Sequence, residues 1–505
     1  MRYGVETVYS TLNCLNCSFS NYAERRFVGC EFPSIGTDSR SLDAGALFVA
    51  LRGENFDGHD FVAAAVAAGA GGICVDRADV AREWAETTVV YLVDDTLRAL
   101  QDLAALRRNK YEGVVIAVTG SVGKTSTRNW IAAALKGGGK VYQTRENLNN
   151  QIGTAQMLLD LPDDADFCVL ELGMHAAGQI RRLSEMVRPD IAVITNIGWS
   201  HIENLDNREN LFRAKTEIIT GLKPGGWLVL NGEDELLATW VASEPGLRSA
   251  YKIVLVGRRD GRTHSFAGTE TEIPLLLVED VRTEKELSFS VRTVGSVEGF
   301  VPLAGEVRVD IIGEHHLANL LLALACAAIC GLELPTILSE LDTFTLPGSR
   351  QEIREIDGIT IIDDSYNASF ESIHAALAVQ KQIAGRARRI LVLGTVMELG
   401  AFSEQIHYRV GEDIAAMAPD LALVCGADAE SVLHGFRDSV DGREETVIRT
   451  YSDRESLTAD LCSAVREGDV ILLKGSNFHK LWLLIEPLSA GAAILRTQED
   501  SDVDL

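Results

Sequence analysis

The sequence is short of positive charge, of aromatic residues and of long apolar runs. Among its 505 residues, 47 lysines and arginines are outnumbered by 73 aspartates and glutamates, which gives a formal net charge of −26. This acidic excess argues against nucleic acid or an anionic membrane as the main partner, although a nucleotide phosphate needs only a local positive site. With 6% aromatic and 46% hydrophobic residues, the composition is typical of a globular α/β enzyme and not of a disordered chain.

Segments that could target or span a membrane are also lacking. The N-terminus has no basic stretch followed by an apolar one, so we expect no signal peptide. The longest apolar candidate, residues 317–330, is shorter than the roughly 20 residues that a membrane-spanning helix requires. We therefore expect a cytoplasmic protein.

The nine cysteines form no pattern that specifies a metal site. Cys14 and Cys17 make a lone C-x-x-C with Cys30 nearby, but a zinc site needs a fourth ligand at suitable spacing. On cytosolic redox grounds we expect reduced, unligated thiols. Cys326 and Cys330 lie four residues apart in an alanine- and leucine-rich helix, so we expect them in a core.

What the chain does have is a predicted strand, a small glycine-containing loop and a predicted helix in succession. An apolar, β-branched run from Val114 is followed by Gly120-Ser121-Val122-Gly123-Lys124-Thr125-Ser126 and then by a helix-forming stretch. A phosphate-binding loop requires this order, because the loop amides and the helix N-terminus favour an anion. Lys124 would reach the outer phosphates, and the Thr125 hydroxyl would bind Mg²⁺. Val118 stands where the general pattern has glycine, which indicates a particular subclass.

Strand and helix candidates alternate through most of the chain, which predicts an α/β fold with parallel sheets. After residue 114, strands are predicted at 167–170, 191–195, 227–230, 360–362, 390–393, 421–424 and 470–473. Residues 251–312 are expected to form an antiparallel extension of the central part, and Leu346-Pro347-Gly348-Ser349 a hinge between domains. The length suggests about three domains, which we set at 1–110, 111–346 and 347–505. The acidic last dozen residues are expected to fray.

Two polar residues that follow predicted strands could hold a cation. Glu171 comes at the end of one strand and His201 follows the next. Ligands bind at the carboxyl ends of strands in open α/β sheets, and a carboxylate there suits Mg²⁺. A histidine ligand would indicate a second cation, although a single loop histidine is more often structural.

A series of short motifs, in a specific order, extends from about Gly36 to Ser476. The motifs are Thr37-Asp38-Ser39-Arg40, Phe56-Asp57-Gly58-His59-Asp60, Thr119-Gly120-Ser121-Val122-Gly123-Lys124-Thr125, Asn147-Leu148-Asn149-Asn150, Glu171-Leu172-Gly173, Thr195-Asn196-Ile197, Asp363-Asp364-Ser365-Tyr366-Asn367-Ala368, Glu398-Leu399-Gly400 and Lys474-Gly475-Ser476. Together they resemble the Mur ligase family, the ATP-dependent amide ligases of peptidoglycan precursor synthesis. The resemblance implies an N-terminal domain that binds a UDP-sugar-peptide, a central P-loop ATPase domain, and a Rossmann-like C-terminal domain that binds the amine and closes over ATP.

The resemblance also implies the nucleotide and metal ligands. The residues matching the ATP site are Gly120, Ser121, Val122, Gly123, Lys124, Thr125, Ser126, the adenine-contacting Asn319, and Arg350 and Asp364 of the third domain. Thr125 and Glu171 resemble the ligands of one Mg²⁺, and His201 and a carbamylated Lys215 those of a second. Lys124, Lys215 and His201 would be the catalytic residues. Without the resemblance, we would interpret Lys215 as an exposed helical lysine.

Within the family, the motif Asp363 to Ala368 most resembles the type that joins D-Ala-D-Ala to UDP-MurNAc-tripeptide (the MurF type), because related types tend to carry histidine in place of Tyr366. The residues similar to substrate contacts are Ser39, Arg40, Asn149, Asn150, Tyr366 and Asn367. The implied reaction has two steps: the tripeptide carboxylate attacks the γ-phosphate of ATP, and the amine then displaces phosphate from the acyl phosphate. A monomer is expected.

Three positions of the third domain depart from the pattern of this type. Phe370 replaces a proline, Thr395 an aspartate, and Asn477 an arginine. Because the amine should bind in this domain, a Mur-like ligase with a different acceptor or amine stays open as an alternative. A second alternative, from another class, is a P-loop protein that binds nucleotide without ligation.

Overall fold

The computed structural model describes residues 2–13, 19–20, 29–53, 56–260, 274–345, 348, 350–440 and 446–489. Cys14, Cys17, the acidic tail and three residues of the expected hinge (Leu346, Pro347 and Ser349) lie outside these described residues. No helix within the described ranges is long and apolar enough to span a membrane.

The first unit is a small mixed α/β layer. Its strands are β1 (Tyr3–Gly4), β2 (Phe19–Ser20), β3 (Glu31–Phe32), β4 (Ile35–Gly36), β5 (Leu47–Val49), β6 (Gly72–Val75) and β7 (Val89–Leu92). Its helices are α1 (Val5–Asn13), α2 (Val62–Ala67), α3 (Ala78–Trp84) and α4 (Thr96–Asn109). The sheet order is β2-β7-β6-β5-β4, with parallel pairing except between β2 and β7, while β1 and β3 form a separate antiparallel pair.

The second unit is a nine-stranded sheet. Its strands are β8 (Val114–Thr119), β9 (Val141–Gln143), β10 (Phe167–Glu171), β11 (Ile191–Ile194), β12 (Trp227–Asn231), β13 (Lys252–Arg258), β14 (Leu275–Arg282), β15 (Leu287–Val294) and β16 (Ala304–Val309). Its helices are α5 (Lys124–Leu135), α6 (Gln151–Leu159), α7 (Gln179–Val187), α8 (Arg208–Thr216), α9 (Glu235–Ser243), α10 (Pro245–Ala250), α11 (His316–Ile329) and α12 (Leu334–Leu341). The strand order is β16-β15-β14-β13-β12-β11-β8-β10-β9, and the strands predicted at 167–170, 191–195 and 227–230 are confirmed.

The prediction that all of residues 251–312 extend the sheet in antiparallel fashion is wrong in its first half. β13 pairs parallel with both β12 and β14, and antiparallel pairing begins only between β14 and β15. The physical reason is visible in the burial of β13, whose five middle residues are all buried. Such a strand needs cover on both faces, as parallel strands do, whereas β15 alternates between buried and more exposed positions.

The third unit is a six-stranded sheet. Its strands are β17 (Glu352–Ile356), β18 (Ile359–Asp364), β19 (Arg389–Gly394), β20 (Leu421–Cys425), β21 (Val447–Tyr451) and β22 (Val470–Lys474), and its helices are α13 (Phe370–Ala384), α14 (Ser403–Met417), α15 (Ala429–Ser439) and α16 (Arg454–Ala464). The order is β17-β18-β22-β19-β20-β21, and only the β17–β18 pair is antiparallel. The α/β fold with parallel sheets is therefore confirmed.

Both faces of the central sheet are buried. Val115 and Ala117 of β8 point into one apolar core, while Ile116 and Val118 point into another that includes α11. Because apolar side chains cover both faces of the sheet, a ligand can bind only at the ends of its strands. β8, β10 and β11 are parallel neighbours, so their carboxyl ends lie at the same edge.

Candidate active site

The loop between β8 and α5 has a shape that only glycine permits at two positions. Gly120 has φ 146°, and a Cβ there would lie 1.9 Å from Thr195 Oγ1. Gly123 has φ 80°, and a Cβ there would lie 2.5 Å from Asn319 Oδ1. Both the backbone conformation and the close neighbours therefore exclude a side chain. The result is a tight loop that runs directly into the N-terminus of α5, where an anion is favoured.

The end of β11 holds this loop in place. The Thr195 hydroxyl donates to the Val122 carbonyl at 2.6 Å, and the Asn196 amide group both donates to that carbonyl and accepts from the Val122 N–H, each at 3.0 Å. The backbone N–H of Ser121 donates to the Asn196 carbonyl at 3.0 Å. Thr195-Asn196, a motif without a predicted role of its own, thus holds this loop in shape.

Lys124, the first residue of α5, folds its side chain back over the preceding loop. Its Nζ donates to the carbonyl oxygens of Gly120 and Ser121 at 2.9 and 3.1 Å. Burial lowers the pKa of Lys124, while the nearby Glu171 carboxylate opposes that shift. A phosphate in the loop would give this ammonium group an anionic partner, which carbonyl groups replace only in part.

Glu171, the last residue of β10, presents a buried carboxylate beside the loop. Its Oε2 accepts from the Thr125 hydroxyl at 2.7 Å and its Oε1 from Asn149 Nδ2 at 2.8 Å, while Arg128 Nη1 lies 3.7 Å from Oε2. A hydroxyl and a carboxylate in contact are oxygen ligands of the kind that Mg²⁺ prefers. The structure therefore brings together the predicted pair Thr125 and Glu171. Asn149, predicted from the resemblance as a substrate contact, lies against this carboxylate.

Lys215, on α8, is only 1% exposed and points at the same loop. Its Nζ donates to the Gly120 carbonyl at 2.9 Å, and no carboxylate pairs with it among the described residues. Burial, with the nearby Lys124 ammonium, lowers its pKa well below the usual value. The uncharged amine is the nucleophilic form of a lysine, and burial favours it here.

His201 lies in the loop after β11 and contacts a residue of the third unit. Its Nδ1 is hydrogen-bonded to Glu398 Oε2, and His175 Nδ1 lies 3.6 Å from the same oxygen. The two histidines hold the pKa of Glu398 well below its usual range. Burial lowers the pKa of His201, whereas the bond to Glu398 raises that of His175. Sequence reasoning missed His175, although its position four residues after Glu171 was a usable signal.

Asn319, in the first turns of α11, lies on the other side of the loop. Its Oδ1 accepts from the Thr127 hydroxyl at 3.1 Å, and its Nδ2 donates to the His315 carbonyl at 3.4 Å. Together with its position beside Gly123, these contacts bring Asn319 to the start of α5. His316 next to it is buried and pairs through Nε2 with Gln351 Oε1 at 2.9 Å.

The third unit brings its predicted residues to the carboxyl ends of β18 and β22. The Arg350 guanidinium lies 4.2 Å from the centre of the Tyr366 ring, and its charge helps to lower the pKa of Lys124. Asp364 Oδ2 pairs with Lys474 Nζ at 2.8 Å, and the same ammonium group donates to the Asn367 carbonyl at 2.7 Å. Lys474, of the motif Lys474-Gly475-Ser476, thus links β18 to the segment that follows it.

A cavity of about 240 Å³ lies between the first and second units. It is lined by the segment 34–43, without Ser39 and Arg40, and by Arg145, Gln156 and Asp160. Arg40 forms a two-point ion pair with Asp38 at the surface, which lowers the pKa of that carboxyl to about 2. Asn150 caps α6 by accepting from the backbone N–H groups of Ile152 and Gly153 at 3.1 and 2.8 Å.

The three departures in the third unit have different surroundings. Phe370 is the first residue of α13, and its ring lies 4.2 Å below the Arg409 guanidinium. Thr395 is buried, with its hydroxyl 3.3 Å from His479 Nε2. Asn477 is exposed and donates to the Tyr366 carbonyl at 3.2 Å. Asn477 therefore touches a predicted substrate-binding residue directly, whereas the Phe370 ring packs under Arg409.

Comparison with known proteins gives a consistent result along the chain. Residues 31–108 match the model "Mur ligase family, catalytic domain", residues 118–327 "Mur ligase middle domain", and residues 349–477 "Mur ligase, glutamate ligase domain". The UDP-N-acetylmuramoyl-tripeptide–D-alanyl-D-alanine ligase of Bacillus subtilis is 34% identical over 455 residues, which cover 90% of this chain and 92% of that protein. The crystal structure of MurF from Acinetobacter baumannii is 27% identical with a TM-score of 0.83, covering 97% and 99%. The MurF ligase from Thermotoga maritima in complex with ADP is 25% identical with a TM-score of 0.75, covering 91% and 98%.

Proposed function

Because the chain belongs to the Mur ligase family, we propose that it is the ATP-dependent ligase that joins D-Ala-D-Ala to UDP-MurNAc-tripeptide. The product is the UDP-MurNAc-pentapeptide precursor of peptidoglycan. The relatives that cover nine-tenths of the chain carry this activity in their names, and an ADP-bound relative shares the fold. The enzyme would work in the cytoplasm, as a monomer.

The reaction proceeds through an acyl phosphate. The terminal carboxylate of the tripeptide attacks the γ-phosphorus of ATP, a P–O bond forms, and the bond to the β-phosphate oxygen breaks to release ADP. The amine of D-Ala-D-Ala then attacks the acyl carbon, the amide bond forms, and inorganic phosphate leaves as the amine loses a proton. Both reactants of the first step are anions, so the protein must neutralise charge and position the groups.

The loop amides and Lys124 would neutralise the negative charge of the ATP phosphates. The amides at the N-terminus of α5 would bind the phosphates, and Lys124 would exchange its bonds to the Gly120 and Ser121 carbonyls for the γ-phosphate. That exchange replaces two neutral hydrogen bonds by a charge-assisted contact that strengthens as charge develops on the transferring group.

The donor set of the site fits two Mg²⁺ ions. Thr125 and Glu171 would hold one through a hydroxyl and a carboxylate oxygen, and a carbamate on Lys215, with His201, would hold the other. When bound, Mg²⁺ ions reduce the repulsion between the tripeptide carboxylate and the γ-phosphate. The fit rests on a buried carboxylate whose polar contacts converge beside the loop and on a buried amine that pairs with no carboxylate in the described part of the chain.

The three domains divide the work. The domain 1–110 would bind the UDP-sugar-peptide, with Ser39 and Arg40 as contacts, together with Asn149 and Asn150 of the second unit. The domain 111–346 would hold ATP, with Asn319 near the adenine. The domain 347–505 would supply Arg350 and Asp364 toward the nucleotide, and Tyr366 and Asn367 toward the amine substrate. Closure of this domain would exclude water that hydrolyses the acyl phosphate.

One observation carries the proposal most strongly: Lys124 and Lys215 both donate to the carbonyl of Gly120, beside the Thr125–Glu171 pair. A protein that merely binds nucleotide has no need for a second buried lysine aimed at the phosphate loop. The geometry suits a site that gathers extra negative ligands around the γ-phosphate, as carboxylate activation requires.

The test measures phosphate release with ATP, Mg²⁺, UDP-MurNAc-tripeptide and D-Ala-D-Ala, omitting each in turn, with product mass determined alongside. We expect release to need every component and to yield the pentapeptide mass. Release with the tripeptide but a different preferred amine would replace this proposal by a Mur-like ligase of other specificity. Tight ATP binding without release in the presence of any amine would indicate the non-catalytic alternative.

A further inference from the structure

Three potential metal ligands meet at the contact between the second and third units. His175 follows β10, His201 follows β11, and Glu398 follows β19 of the third unit. One donor atom from each residue lies within 4.8 Å of the other two. The His175 and Glu398 side chains are 61% and 43% exposed, so an ion has a path from solvent.

The spacing is close to that of ligands around one small dication. A metal with bonds of about 2.0–2.2 Å holds neighbouring tetrahedral ligands about 3.4 Å apart. His175 Nδ1 lies 3.6 Å from Glu398 Oε2, and His201 Nδ1 is in hydrogen-bond contact with the same oxygen. Small side-chain rotations would bring all three donors onto one ion and leave a position for water.

The backbone at two of the three residues is also unusual. His201 and Glu398 have φ angles of 64° and 63°, in the left-handed region that non-glycine residues seldom adopt. Such conformations persist only where the surrounding structure enforces them, and they are concentrated at functional sites. Here the two strained residues belong to different units and point their side chains at one another.

We propose that His175, His201 and Glu398 form a binding site for a first-row transition-metal dication, represented by Zn²⁺, that bridges the second and third units. Two imidazoles with one carboxylate suit Zn²⁺, Co²⁺ or Ni²⁺, whereas Mg²⁺ prefers oxygen ligands. This donor set therefore differs in chemistry from the pair Thr125 and Glu171.

Metal binding by His175, His201 and Glu398 is compatible with the proposed role of His201 as a Mg²⁺ ligand together with Lys215. An imidazole has two ring nitrogens, and Nδ1 of His201 is directed at Glu398, which leaves Nε2 for another ligand. Because Glu398 also accepts a backbone hydrogen bond from Glu203 at 3.2 Å, an ion there would add a metal crosslink to an existing contact. Zinc should consequently favour the docked arrangement of the third unit.

The experiment titrates the metal-free, full-length protein with Zn²⁺ in a large excess of Mg²⁺, by competition with a chromogenic chelator. Wild type is expected to bind one equivalent that Mg²⁺ does not displace. His175→Ala should weaken that binding by at least about tenfold, the loss expected when part of a metal's ligand environment is removed. The matched control is His374→Ala, because His374 is also an exposed imidazole, 56% exposed and paired with Asp413 at 3.1 Å.

Co²⁺ provides a second readout that does not depend on affinity alone. Its visible absorption should indicate nitrogen ligands in wild type and in His374→Ala, and should change in His175→Ala and in Glu398→Gln. Equal Zn²⁺ affinity and equal Co²⁺ spectra in wild type and His175→Ala would overturn the proposal, as would the absence of Zn²⁺ binding to wild type. The measurement uses neither ATP nor substrates, so its failure would leave the ligase proposal untouched.

Discussion

Lys215 Nζ donates to the carbonyl oxygen of Gly120 at 2.9 Å, which joins the buried amine of α8 to the phosphate loop of β8 and α5. The contact spans 95 residues of sequence and exists because β11, which precedes α8, is the parallel neighbour of β8. The same carbonyl accepts from Lys124 at 2.9 Å. Two lysines therefore share one neutral acceptor, and neither forms an ion pair with a carboxylate among the described residues.

Replacement of Lys215 should impair ligation in a way that a carboxylate can partly repair. We expect Lys215→Ala to reduce kcat by about 10²–10³-fold, as for loss of one preorganised electrostatic group. Because the lost group would be a carbamate, acetate or formate should restore part of the rate. Lys381→Ala, an exposed lysine of α13, should have no effect. Equal rates for Lys215→Ala and wild type would reject the carbamate.

Lys124→Ala should strongly reduce turnover while leaving the loop fold intact, because Thr195 and Asn196 also hold the loop through their own hydrogen bonds. We expect kcat to fall by about 10²–10³-fold or more, with little change in the thermal midpoint. Steady-state phosphate release and a melting curve measured on the same sample check both parts. Persistent release of ADP and phosphate by this variant would show that the nucleotide site is elsewhere.

Glu171→Gln should shift the dependence on Mg²⁺. The amide keeps the shape of the side chain and can still accept from Thr125, but it removes the charge that we propose for the metal. We expect the Mg²⁺ concentration for half-maximal activity to rise by about tenfold or more, since hard cations depend on carboxylate charge. Glu185→Gln, an exposed acid on α7, is the matched control. An unchanged Mg²⁺ midpoint in the Glu171 variant would remove this residue from the metal site.

Much of the site could be predicted because it is local in sequence. The run from Val114 to Thr125 specifies a strand, a glycine-containing loop and a helix within a dozen residues, and Glu171 stands at a strand end that any parallel sheet brings nearby. These inferences need only hydrophobic pattern and turn chemistry. Accordingly, the local pattern predicts the parallel sheets and a carboxylate at a strand end, whereas the pairing of Thr125 with Glu171 is what the family resemblance implies.

The remaining features depend on packing between distant segments. The meeting of His175 and His201 with Glu398 requires the third unit to dock on the second, and no local pattern encodes that contact. The roles of Arg128 and Lys474 are similarly tertiary, because each stabilises a carboxylate from another element. Burial also decides the case of Lys215, which on sequence alone resembles an exposed helical lysine.

The departures in the third unit should separate into stability and specificity effects. Phe370 is the first residue of α13 and packs under Arg409, so Phe370→Ala should cost about 1 kcal/mol of stability and leave the amine KM unchanged. Phe370→Pro should fold, because proline is well accommodated at the first helical position. A large change in amine KM for Phe370→Ala would contradict this division.

Asn477→Ala, in contrast to Phe370→Ala, should change the KM for the amine and leave stability unchanged. Its amide supports the Tyr366 carbonyl at 3.2 Å, within the segment that we propose for the amine. Loss of about one hydrogen bond predicts a rise in the KM for D-Ala-D-Ala of about fivefold, with little change in the KM for ATP or in stability. Initial rates at varied amine, with urea unfolding in parallel, provide the test. Equal KM values for variant and wild type would remove Asn477 from amine recognition.

His316 should make the protein sensitive to mild acid. Burial lowers the pKa of His316 well below the ordinary 6.5, and the neighbouring His315 lowers it further, whereas the hydrogen bond with Gln351 and the Asp364 charge oppose the shift. As the pH falls through 6.5, the unfolded chain therefore takes up a proton that the folded protein does not. The free energy of unfolding then decreases by about 1.4 kcal/mol for each pH unit below about 6.5.

The comparison that isolates this effect is between wild type and His316→Asn, measured by urea unfolding at pH 7.5 and pH 5.5. Asparagine can keep a hydrogen bond to Gln351 but has no proton to gain. The variant should consequently lose less stability than wild type on acidification, by about 1 kcal/mol, while its stability at pH 7.5 reflects packing alone. If both proteins lose the same free energy between the two pH values, His316 is not the group responsible, and the buried imidazole takes up its proton in the folded state as readily as in the unfolded one.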